Sequence, residues 1–156
     1  MYLNDPILLT KKLITFQSIT PEDGRSLEYV RSQLKERKFA CNLFTKNGVK
    51  NLFARWEPEK TCDKTIAFNG HVDVVPAGDP KEWKYGAFSG EIKSGRIFGR
   101  GAVDMKSAVA AFICAASEAV LEYELNSSIV IMLTSDEEGR AEFGTKAIID
   151  WVKKNK

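Results

Sequence analysis

The order of apolar and polar positions divides the chain into alternating helical and extended stretches. Asp5 before Pro6 is a helix cap followed by a favoured first helical residue, and Ile7, Leu8, Leu13 and Ile14 carry a helical apolar period behind it. Thr20, Pro21, Asp23 and Gly24 interrupt that period. Leu27, Val30 and Leu34 then recur between charged residues at helical spacing, which predicts an amphipathic helix ending near Lys38. Two extended runs, Ala40 to Thr45 and Asn51 to Trp56, flank Lys46-Asn47-Gly48, a turn of hairpin chemistry, and predict an edge hairpin. Lys64 to Asn69 reads as a short strand that stops at Gly70, and recurring Pro and Gly make Pro76 to Gly86 a loop. Glu91 to Phe98 reads as a second hairpin, turning at Ser94-Gly95.

From Asp104 onward, Met105, Ala108, Val109, Phe112, Ile113, Ala116 and Val120 trace a long, mostly buried, alanine-rich helix. Ser128 to Thr134 contains the unbroken run Ile129-Val130-Ile131-Met132-Leu133, the pattern of a strand covered on both faces. Thr145 to Lys154 is helical, with Ala147, Ile148 and Trp151 on one side. This alternation predicts an α/β fold, a mixed sheet with helices on both faces.

Composition narrows the function classes. The 156 residues are 44% apolar and 28% charged, enough for one domain with a real core. Lys and Arg number 23 against 21 Asp and Glu, so there is no basic excess to attract a nucleic acid or an anionic membrane, and neither is expected as a partner. The longest apolar run, Ala108 to Ala116, is about half of a bilayer span, and Asp5 and Pro6 stand where a signal peptide would be apolar. A cytoplasmic protein is therefore expected. Cys41, Cys62 and Cys114 are widely spaced without a C-x-x-C pair, and read as thiols rather than disulfides or a cysteine zinc cluster.

Three places carry chemistry, each where a strand-like run stops. The first is Gly70-His71-Val72-Asp73, with the only histidine of the chain. A lone His is more often structural, but a carboxylate two residues on can accept the second ring N–H of a metal-bound imidazole and fix its tautomer. The second is Gly99-Arg100-Gly101-Ala102-Val103-Asp104-Met105-Lys106. Here Asp104 is either a helix cap or a carboxylate free to bridge two cations; a phosphate cradle is disfavoured, because the third glycine of the dinucleotide fingerprint is missing. The third is Ser135-Asp136-Glu137-Glu138-Gly139, either a solvated acidic turn or a cluster whose self-repulsion a divalent cation relieves. Two adjacent Glu can divide the work, one ligating and one acting as general base.

In this order, a strand ending in Gly-His-x-Asp-x-x-Pro, then Gly-Arg-Gly-x-x-Asp-Met-Lys, then Thr-Ser-Asp-Glu-Glu-Gly closely resemble the dinuclear zinc family of aminoacylases, glutamate-type carboxypeptidases and amino-acid deacylases. Within it, Phe68 to Pro76, Gly78-Asp79 with Trp83, Gly95 to Lys106, and Leu133 to Gly139 with Gly144-Thr145 look most like the bacterial desuccinylases of diaminopimelate synthesis; acetylornithine deacetylases are less alike around Arg100 and Asp136. The resemblance implies a zinc-exopeptidase-like fold and a metal-dependent amide hydrolase acting on a small N-acyl amino acid. It implies metal ligation by His71, Asp104 (bridging) and Glu138, a general acid/base at Glu137, and Asp73 orienting His71. Two Zn2+ per complete site are implied, with Co2+ as a substitute, and a homodimer for the complete enzyme. A further carboxylate and a second His are also implied, and the sole histidine is His71. The 156 residues are thus expected to be the N-terminal part of the catalytic domain, without its lid domain and C-terminal part, and inactive alone. A complementing metal-binding fragment and a nucleotide-binding module using Gly99 and Gly101 remain as alternatives.

Overall fold

The structure, a computed structural model, describes residues 2–60 and 63–155. Cys62, read above as a thiol, lies outside the described residues; Cys41 and Cys114 are thiols, both raised to about 11 by burial. Helix α1 (Pro6–Ile14) opens as expected, with Asp5 accepting from Ile7 N and Leu8 N. Helix α2 (Ser26–Glu36) stops two residues before Lys38, whose left-handed backbone (φ 62°) cannot continue it. Strands β1 (Ala40–Lys46) and β2 (Val49–Trp56) form the expected edge hairpin, and both strands are longer than predicted. Only Asn47 and Gly48 are left in the turn, both at positive φ, the backbone that a two-residue hairpin needs to match strand twist.

Strand β3 (Thr65–His71) runs two residues past Asn69 and ends on His71 itself. A small hairpin of β4 (Glu91–Lys93) and β5 (Arg96–Phe98) follows, turning at Ser94-Gly95 as expected. Helix α3 (Ser107–Glu122) begins three residues later than the apolar period suggested, because Asp104 is extended and Met105 also departs from helical dihedrals. Strand β6 (Ser128–Thr134) and helix α4 (Thr145–Lys154) keep their predicted bounds.

The main sheet has the order β1-β2-β6-β3, with β6 antiparallel to β2 and parallel to β3. It is mixed, as expected, and helices lie on both faces. On one face Leu52 and Ala54 of β2 and Ile129, Ile131 and Leu133 of β6 bury against α1, α2 and α3 through Leu13, Leu34 and Ile113. On the other, α4 lays Trp151 against Phe44 and Phe53, with ring centroids 5.7 and 5.4 Å apart. Burying one such Leu or Ile is worth roughly 1.5–3 kcal/mol, so the layer on β6 accounts for much of the fold's stability. Strand β3 is the second edge, and its Ile66 is 56% exposed. No helix among the described residues is long and apolar enough to cross a membrane.

Candidate metal centre

The parallel register of β3 and β6 pairs His71 with Thr134, so both strands end at one level. The chain leaving β6 therefore delivers Ser135 to Glu138 beside His71. Asp104 arrives from a different direction, on the turn Ala102–Lys106 that precedes α3. Gly101 enters that turn at φ 81°, packed so closely that a Cβ would stand 2.6 Å from Val74 Cγ1.

These elements bring three candidate ligands together. Donor atoms of His71, Asp104 and Glu138 all lie within 4.8 Å of one another. His71 Nε2 is 3.1 Å from Asp104 Oδ1 and 3.6 Å from Glu137 Oε2. His71 is buried, whereas Asp104 and Glu137 are largely exposed, so a buried imidazole edge faces an open acidic rim. Val75, Gly99, Arg100, Asp104 and Glu138 line an open depression of about 380 Å³ at this point.

Asp73 lies beneath the site, fully buried. His71 Nδ1 is 3.0 Å from the Asp73 carbonyl and 3.6 Å from its carboxylate, so the nearer acceptor for the ring is the backbone oxygen. The carboxylate oxygen Oδ2 instead accepts from Glu137 N and Glu138 N, each at 3.1 Å. One carboxylate thus fixes the backbone of both glutamates while its own carbonyl aims the imidazole. Asp136, the first acid of the run, turns away: its Oδ2 accepts from Glu142 N and Phe143 N and closes the loop leading to α4.

The charges are mutually adjusted. Burial alone would lower the His71 pKa, but hydrogen bonds and the charge of Asp73, with Asp104 beside the other nitrogen, outweigh it and push it up to about 9. Burial would raise Asp73, yet His71 and the two amides hold it below the usual carboxylate range. Glu138 is raised, by burial first and then by Asp104, with Glu137 and Asp73 adding to the rise against the pull of His71. A site that keeps a proton on its imidazole and crowds its acids has a surplus of negative charge that a cation would relieve.

Lys106, Trp83 and Arg100 belong to the motifs quoted above but were given no role there. Lys106 is wholly buried, and its Nζ donates to Leu13 O and Phe16 O, both at 2.9 Å. Trp83 Nε1 donates to Ala77 O at 2.9 Å, and the Arg100 guanidinium sits 5.5 Å over the Trp83 ring, tying the 76–83 loop to the Asp104 turn. A lysine at a helix start and an arginine between glycines carry no sequence signal of burial or stacking.

Residues 67–156 match the model of peptidase family M20/M25/M40, more than half of the chain. The chain belongs to this family. The succinyl-diaminopimelate desuccinylase of Cereibacter sphaeroides is 47% identical over 148 residues, which cover 95% of this chain and 39% of that protein. The Wolbachia pipientis enzyme of the same name is 45% identical over 151 residues, covering 96% of this chain and 37% of its relative. The M20/M25/M40 chain described here thus spans less than two fifths of the length of these curated relatives. Its fold matches that of an M20 family metallo-carboxypeptidase from Sulfolobus solfataricus with a TM-score of 0.79 at 23% identity, over 97% of this chain and 34% of that one.

Proposed function

We propose that this chain is the N-terminal, metal-holding part of a catalytic domain that hydrolyses N-succinyl-diaminopimelate to succinate and diaminopimelate. The observation that carries the reading is the meeting of His71, Asp104 and Glu138 within 4.8 Å, beside a glutamate that is not among those three. One imidazole nitrogen and two carboxylates form a donor set that suits zinc, and Co2+ takes the same ligands. Nδ1 is engaged by the Asp73 carbonyl, which leaves Nε2 facing the acids, as a ligating histidine requires. Two Zn2+ are the proposed complement; Asp104 would serve both, and His71 and Glu138 would each hold one. A second imidazole has to come from outside these 156 residues, since His71 is the only histidine.

When bound, the metal would polarise the amide carbonyl and lower the pKa of water. The chain's own residues do the rest. Glu137, mostly exposed and 3.6 Å from His71 Nε2, takes the proton of the attacking water on its carboxylate and returns it to the departing amine. Asp73 holds Glu137 and Glu138 in place through their amides, so the base and the ligand keep a fixed spacing. The selectivity for succinyl over acetyl, the lid domain and the homodimer contact are assigned to the portion of the relatives that this chain does not span.

Co2+ titration of the purified chain, read by visible absorption, tests the metal reading, with hydrolysis of N-succinyl-diaminopimelate assayed in parallel. Weak Co2+ binding that disappears in His71→Ala, no turnover by the chain alone, and no retained nucleotide are expected. Co2+ binding unchanged in His71→Ala, or a co-purifying nucleotide without metal, would overturn it. In Glu137→Gln, Co2+ affinity should stay within about threefold of wild type, because position 137 is assigned a proton and not a metal; loss of Co2+ there would make Glu137 a ligand.

A further inference from the structure

Lys106 has no part in the chemistry proposed above, yet it is the bulkiest wholly buried side chain among the described residues. An amino head group out of water is costly unless its donors are met. Here they are met by one target. Leu13 O lies in the last turn of α1 and Phe16 O just beyond it, at the negative end of the helix dipole, and both accept from Nζ at 2.9 Å.

The other end of the same residue closes the turn that carries Asp104. Lys106 N donates to Gly101 O at 2.9 Å, and the side-chain Cδ packs beneath Gly101, 3.2 Å from the place a Cβ would take. Between these two residues Ala102 is buried and Met105 packs against the core, but the part of the turn around Asp104 stands open. Val103 is 91% exposed, and Asp104 and Met105 depart from helical dihedrals. The Asp104 side chain is 71% exposed, with His71 as its hydrogen-bond partner. The position of the Asp104 carboxylate is therefore inherited from the backbone of the turn, and the turn's buried polar tie to α1 is Lys106.

We propose that Lys106 is a positioning residue: by fastening the Gly101–Lys106 turn to the end of α1, it sets where the Asp104 carboxylate stands relative to His71. The role itself needs no metal; its consequence for metal affinity rests on the reading of the site given above. Placed between α1 and the site, Lys106 also makes α1 part of the site's framework.

The test compares wild type, K106M, K106R and the core control I113V in the 156-residue chain. K106M keeps the apolar stem and removes both hydrogen bonds. I113V trims the core beside α3 and leaves the turn intact. In metal-free protein, amide hydrogen exchange resolved by NMR should be at least tenfold faster across 101–106 in K106M than in I113V, after both are corrected for global stability from β6 amides. K106R, which keeps the donors on a larger head, should fall between K106M and wild type. Co2+ affinity should drop at least tenfold in K106M and less than threefold in I113V. If turn exchange in K106M moves no more than in I113V, Lys106 is a core residue only and the proposal is wrong. If wild type binds no Co2+, the metal reading falls while the exchange comparison still decides the role of Lys106. Should K106M fail to fold, K106R against I113V decides it, with turn exchange equal in the two overturning the proposal.

Discussion

Replacing Asp73 by Asn should release the proton that the metal-free site keeps on His71. His71 is buried, with Nδ1 3.0 Å from the Asp73 carbonyl and 3.6 Å from its carboxylate, and its pKa is raised from 6.5 to about 9. A rise of that size corresponds to roughly 3 kcal/mol of preference for imidazolium in the folded state. Because the folded pKa lies above the unfolded one, this contribution is whole below pH 6.5 and disappears as pH rises through 9. An asparagine keeps the backbone carbonyl and one acceptor for the Glu137 and Glu138 amides but carries no charge. The His71 midpoint should then fall by about one pH unit or more, with Asp104 retaining part of the rise. The ring resonances of the sole histidine, followed by NMR in chelator-treated protein, give the midpoint without any assignment problem. Urea unfolding at pH 6 and pH 9.5 should show wild type losing more stability across that interval than Asp73→Asn. A wild-type midpoint at or below 6.5, or one that Asp73→Asn leaves unmoved, would refute the account of the site's charge balance.

Metal and proton compete for the same Nε2, so Co2+ affinity should weaken by up to about tenfold per pH unit below pH 9, with about one proton released per ion bound in calorimetry run in two buffers; an affinity independent of pH between 6.5 and 9 contradicts this. Lys106 has the opposite sign: burial lowers its pKa from 10.5 to about 8, so the unfolded chain binds more protons between those values and its contribution makes stability rise from pH 8 to 10.5. K106M should lack that rise in urea midpoints, and equal slopes in the two proteins count against it. Ile66→Lys on the open edge of β3 should change the melting temperature little, since the side chain is 56% exposed; a loss as large as that of a buried-core substitution would contradict this placement.

Periodicity located β6 and α4 to the residue because a run of five apolar residues and a one-sided helix are local signals. It put the start of the long helix at Asp104, since Met105 and Ala108 fit a helical period whether or not the backbone follows it; the non-helical dihedrals at Asp104 and Met105 leave no mark in that period. The three motifs were legible as motifs, and their order carried the family resemblance. What the sequence could not display was the set of hydrogen bonds that holds them. Asp136 and Glu137 are equivalent acids in a string of letters, yet one closes a loop on the amides of Glu142 and Phe143 and the other faces His71. The amide hydrogen bonds of Asp73 were equally hidden, because they join side chain to backbone across 64 and 65 residues and depend on no residue type at the donor end.

The parallel pairing of β3 with β6 also has a consequence in time. Parallel neighbours cannot be joined by a tight turn, and here a hairpin and the 16-residue helix α3 come between them. Helix α3 and the β1–β2 hairpin can form from nearby residues alone, whereas His71 and Glu138 meet only after the loop around them closes, the slow kind of contact in a folding chain. A refolding experiment should therefore gain helical circular dichroism well before it gains the cobalt spectrum. Cation capture would then be a late milestone, reached by molecules whose sheet is already assembled.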